Sequence, residues 1–197
     1  MSFASRKDII NLIEDLLVHC WPRKVETPIE QMVYDDAMSL YGVDKPDLRF
    51  DNKIVNLTET LENSGFDFID SRSGNPSFFS GAVLFQSSIG KGSQKLLKSL
   101  ENEVKKIFED QLEECKKNNK PIIISSVSKK EGAVQNTIIK KVNEDTRARI
   151  DKIICDNDMG FIVCGDKEAV FPILGKLRNL LAKEFIPDLE ERPDKFL

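Results

Sequence analysis

The chain has 197 residues, 40% apolar and 31% charged, the make-up of one globular α/β-sized domain with a real core. Its formal net charge of -4 and pI near 5.3 exclude attachment to nucleic acid or membrane mainly by bulk charge, while leaving room for a local basic groove. No apolar run approaches the ~20 residues of a membrane span. Cys20, Cys115, Cys155, Cys164 and the lone His19 lack zinc-type spacing, so free thiols in a reducing, cytoplasmic setting are expected.

Elements are expected as follows. The opening residues carry no secretory signal pattern. A helix is predicted from Ser5 to Cys20, with Ile9, Ile10, Leu12, Ile13, Leu16 and Leu17 as an apolar stripe, stopped by Trp21-Pro22. A second helix is predicted from Thr27, with Thr27 as N-cap, Pro28 in the first turn and Glu30 completing a capping box, ending at Gly42. Strands are predicted at 53–57, 65–70 and 82–88. A long helix follows the Gly90-Lys91-Gly92-Ser93 turn and ends at Asn118-Asn119. A buried strand is predicted at 121–127, an extended piece at 137–142 and a helix at 144–155. Then come a strand at 160–164, a helix from Asp166 to Phe185 that tolerates Pro172, and a fraying tail. The whole reads as a single domain: N-terminal helix 1–24, core 25–165, and C-terminal helix and tail 166–197.

The run Thr27-Pro28-Ile29-Glu30 and the run Gly65-Phe66-Asp67-Phe68-Ile69 resemble two motifs of the restriction-endonuclease-like, PD-(D/E)XK, superfamily. The predicted α-β-β-β-α-β order is similar to that superfamily's core. The resemblance implies a mixed central sheet flanked by helices, with extra N- and C-terminal helices. A second echo lies in Ala37–Gly42, Phe66–Asp70 and Asp145–Ile150, which are similar to stretches of the cap-snatching endonuclease domain of orthomyxovirus polymerase acidic subunits.

The resemblance also implies a chemistry. Phosphodiester hydrolysis needs an activated water and a stabilised transition state, and Mg²⁺ held by carboxylates supplies both, with Mn²⁺ as a substitute. Asp67 and Gln86 would hold the metal, with Asp70 as a second carboxylate that strand alternation sets on the opposite face. Lys91 would serve near the scissile phosphate and Glu30 would support from the helix. Gln86-Ser87-Ser88 stands where the superfamily has an acid, a spacer and a lysine, which puts activity in question. Lys91, Ser93, Lys95 and Lys98 are the candidate nucleic-acid contacts, because a turn before a helix presents N–H groups and lysine to phosphate. Two functions stay open: a metal-dependent nuclease or nuclease-derived DNA- or RNA-binding domain, and an inactive domain of that fold that binds a protein partner.

Overall fold

The computed structural model describes residues 3–86, 93–130, 132–155 and 158–192. Its elements are α1 (Arg6–Cys20), α2 (Tyr34–Tyr41), β1 (Val55–Asn56), α3 (Asp67–Asp70), β2 (Phe78–Gln86), α4 (Ser93–Ile107), α5 (Glu109–Lys117), β3 (Ile123–Lys130), β4 (Ala133–Gln135), α6 (Glu144–Ile153), β5 (Asp158–Asp166) and α7 (Lys167–Phe185), with a final 3-10 turn at Leu189–Glu191. The strands form one sheet in the order β1-β2-β5-β3-β4. Every pairing is antiparallel, and β5 lies between β2 and β3. This is an α/β fold, but it is not the mixed restriction-endonuclease core expected from the motif order.

Both faces of the sheet are covered. Strand residues point alternately up and down. Phe79, Val83, Phe85, Phe161 and Val163 therefore meet Leu97, Leu100 and Val104 of α4 and Val170, Ile173, Leu174, Leu177 and Leu181 of α7. Phe78, Ala82, Ile162 and Cys164 face the other way, onto Leu57, Leu61, Ile69, Ile138, Ile139 and Val142 and onto Ile150 and Ile154. Burial on both faces explains why β2 and β5 read as near-continuous apolar runs. Gly160 is required where β5 meets β2, since a Cβ there would stand 1.8 Å from the Val83 carbonyl oxygen.

Several expected elements are corrected. The second helix starts at Tyr34, with Val33 and not Thr27 as its N-cap. Glu14 of α1 takes the Ile29 N–H at 2.7 Å, so tertiary contact holds the 27–33 stretch extended and Glu30 lies outside any helix. The strand expected at 65–70 is a helical turn, because both Asp70 carboxylate oxygens fold back onto Ser64 and Gly65. The extended piece expected at 137–142 is a series of turns; the strand is β4, just before it. The long helix is split at Phe108. Of the strand expected at 82–88, Ser87 and Ser88 lie outside the described residues, and the strand begins earlier, at Phe78. The N-terminal helix forms as expected, with Ser5 as its cap, yet none of its residues is buried. Among the described residues no helix is long and apolar enough to cross a membrane.

Candidate nucleic-acid interface

The sheet edge at β3 and β4, the first turns of α4 and the turn at 136–142 enclose a groove of about 280 Å³ whose lining mixes polar side chains with Leu97 and Val127. The turn is held from both sides. Asn136 is buried, and its amide nitrogen donates to Ser125 Oγ at 3.0 Å and the Ser126 carbonyl at 2.7 Å. Its amide oxygen accepts from the Ile138 and Ile139 N–H groups at 2.7 and 3.1 Å. All four hydrogen-bonding positions of this side chain are thus used, which a buried amide requires. Thr137 Oγ1 meets Ser125 Oγ at 2.6 Å. From outside, Arg147 on α6 donates to the carbonyls of Ile139, Lys140 and Val142.

Ser126, Ser128, Gln135 and Thr137 line the floor of the groove, with Gln94, Lys98 and Lys140 beside them. Gln94 Nε2 donates to Gln135 Oε1 at 2.5 Å, closing one end of the groove. Lys98 and Lys140 are exposed, and neither has an ion-pair partner among the described residues. By contrast Lys129 on the same strand is neutralised by Asp151 at 3.0 Å. Two uncommitted ammonium groups over a floor of hydroxyls and amides suit a phosphate backbone with polar edges.

The structure separates the residues expected to hold metal. Asp67 is exposed at the start of α3, whose Phe68 ring touches Phe78 at the first end of β2. Gln86 is exposed at the last residue of that strand, about 26 Å further along at ~3.3 Å per residue. One cation cannot bridge them. Asp70 is committed to its own loop, accepting from Ser64 N–H at 2.9 Å, Ser64 Oγ at 3.0 Å and Gly65 N–H at 2.8 Å. Glu30 is exposed in the extended stretch before α2. Among the described residues no group of three or more His, Cys, Asp or Glu side chains could hold a metal ion. Lys91 and its glycine turn lie outside the described residues, as does the side chain of Ser93. Lys95 and Lys98 are both exposed on α4, and Lys98 reaches the groove. The lysine pattern takes in α4 and the Lys140-Lys141 pair, but only α4 and the turn before it are expected to contact nucleic acid; Gln94, Gln135, Asn136 and Lys140 are not among the expected contacts. The Gln135-Asn136-Thr137 run, a cluster of turn-forming amides and hydroxyl, and the Lys140-Lys141 pair are the available signals.

Comparison with known proteins points away from nucleases. Residues 1–163 match the family described as tRNA synthetases class II (D, K and N). An aspartate–tRNA ligase of Clostridium botulinum (strain Eklund 17B / Type B) is 32% identical over 194 residues, covering 94% of this chain and 30% of the ligase. An aspartate–tRNA(Asp/Asn) ligase of Corynebacterium diphtheriae is 29% identical over 190 residues, covering 93% of this chain and 28% of the ligase. A stretch of 69 residues is 46% identical to the corresponding ligase of Corynebacterium jeikeium, covering 34% of this chain and 12% of the ligase. The chain therefore spans about 30% of the length of the first of these relatives. These matches overturn the restriction-endonuclease resemblance, whose motifs were a few residues long, and with it both the nuclease and the inactive-nuclease readings.

Proposed function

Since the chain belongs to the class II tRNA synthetase (D, K and N) family, we propose that it is an RNA-binding module of an aspartate–tRNA ligase type, with tRNA as its ligand. The observation that carries this reading is the groove between α4 and the 136–142 turn, where Lys98 and Lys140 stand beside the hydroxyls and amides of Ser126, Ser128, Gln135 and Thr137. Local positive charge overrides the chain's overall acidity here, because at physiological salt an exposed charge is felt only within ~8 Å. In this reading the groove binds the RNA backbone and positions the RNA.

The N-terminal helix offers a second, apolar surface. Ile9, Leu12, Ile13 and Leu16 are each 44% exposed or more, and Trp21 at its C-cap is 40% exposed. An apolar stripe open to water marks a contact surface. It is the face on which the body of a ligase would pack, whether carried on this chain or another.

The test is a titration of the protein with an aspartate-accepting tRNA at low and at physiological ionic strength. Saturable binding that weakens steeply with salt is expected, because each phosphate contact releases counterions. A failure to bind tRNA at low salt would overturn the reading.

A further inference from the structure

We propose that Phe66 and Phe68, with Lys141 and Arg72, form a stacking platform beside the groove for an unpaired stretch of RNA. The inference rests on the RNA-binding reading and specifies which part of the RNA is held. The two rings are half-buried at the start of α3, their centroids 5.9 Å apart and their planes 33° from parallel. The Lys141 ammonium lies 4.8 Å from the Phe66 ring centroid, and the Arg72 guanidinium 4.6 Å from that of Phe68. Lys141 directly follows Lys140, so the platform and the groove share one clamped turn.

The arrangement selects unpaired bases. A duplex keeps its bases stacked on each other and offers a protein only its backbone and groove edges, whereas a splayed base can lie on an aromatic ring. Phe66 packs in part against the core, and the exposed Lys141 lies over its ring, a contact that an incoming base can replace. The cation–π contact of an exposed lysine is weaker than the stacking of a base on the same ring, so an incoming base displaces Lys141 from Phe66. The freed ammonium is then placed to meet the phosphate of that nucleotide. Arg72 stays at the platform edge, held by its donations to the Phe68 carbonyl and to Ser71 Oγ, both at 3.0 Å. Its planar guanidinium extends the stack, as arginine planes do in single-stranded RNA recognition.

The experiment compares full-chain wild type, Phe66→Leu, Lys141→Gln and Lys98→Ala by fluorescence anisotropy. The probes are a short labelled oligoribonucleotide and the same strand in a duplex. Leucine keeps the apolar packing of position 66 while removing the π face. Wild type is expected to prefer the single strand, and Phe66→Leu to weaken that binding about tenfold while leaving the duplex unaffected. Lys141→Gln, at an exposed position, is expected to reduce the salt slope by about 0.7, one single-strand phosphate contact. Unchanged single-strand affinity in Phe66→Leu and an unchanged slope in Lys141→Gln, alongside weakened binding in Lys98→Ala, would remove the platform and leave the groove reading standing. Loss of both readings requires a different result, namely wild type that binds neither probe.

Discussion

The guanidinium carbon of Arg178 lies 3.9 Å from the centroid of the Phe50 ring, and the same group donates to the main-chain carbonyls of Asp47, Phe50 and Asn52. Arg178 projects from α7 and is 1% exposed, so one buried cation ties the C-terminal helix to the whole 47–52 loop. Burial pulls its pKa down to about 10, still well above neutral, so the charge persists in the fold. Arg178→Met keeps the stem packing but orphans one buried and two part-buried carbonyls. The expected loss is roughly 3 kcal/mol or more, a large share of a typical domain's stability. Urea denaturation measures it; a loss below about 1 kcal/mol would show that water replaces the guanidinium.

Asp67 and Asp70 are expected to respond differently. Asp70 closes the Ser64-Gly65 turn with charge-assisted hydrogen bonds, so Asp70→Ala should cost about 2 kcal/mol. Asp67 is exposed, and Asp67→Ala should stay within about 0.5 kcal/mol of wild type and leave RNA affinity unchanged. Thermal melts beside RNA titrations of both variants check this. Loss of RNA binding in Asp67→Ala would return this residue to the site.

Cys164 carries a pH dependence. Burial pushes its thiol from the ordinary value of 9.0 up to about 12. Between these values the unfolded chain has released a proton that the folded chain retains, so stability from this group is intact below about 9 and declines as pH rises toward 12. The urea midpoint of wild type should fall more steeply with alkaline pH than that of Cys164→Ala. Native thiol labelling should modify the exposed Cys20 and Cys155 quickly and spare Cys164. Equal labelling of all three would contradict the packing described for β5.

Asn136 couples stability to the interface. Its four hydrogen bonds shape the turn that carries Lys140 and Lys141. Asn136→Ala is expected to cost about 2–3 kcal/mol and to weaken RNA binding by loosening the turn it shapes. Melting curves and anisotropy on the same sample test both halves. Normal affinity in a destabilised variant would mean that the turn is held well enough by Arg147.

Much of the fold was legible in the sequence because its signals were local. Ser5 capping α1, the apolar runs of β2 and β5, and the helical spacing of Leu97, Leu100 and Val104 all announce themselves within a few residues. The misses arose where a distant partner decides. Glu14 holds Ile29 extended although Thr27, Pro28 and Glu30 look like a helix start. Asp70 bends a Phe-rich segment into a helical turn although its composition suits a strand. The antiparallel order, with β5 inserted between β2 and β3, leaves no trace in local pattern. The interface was only partly legible, since the lysine pattern marks α4 and the Lys140-Lys141 pair but not the groove that brings them together. The nuclease reading failed because short motifs were read through the assumption that residues 65–70 formed a strand.

The measurement that most directly tests the central claim is tRNA affinity after charge reversal of the two groove lysines together, Lys98→Glu with Lys140→Glu. Both side chains are exposed, so the fold and its melting temperature should be retained. The account predicts binding weakened by at least about tenfold and a shallower salt dependence, from the loss of two phosphate contacts. Unchanged tRNA affinity in the folded double variant would contradict it and place the RNA elsewhere on the molecule.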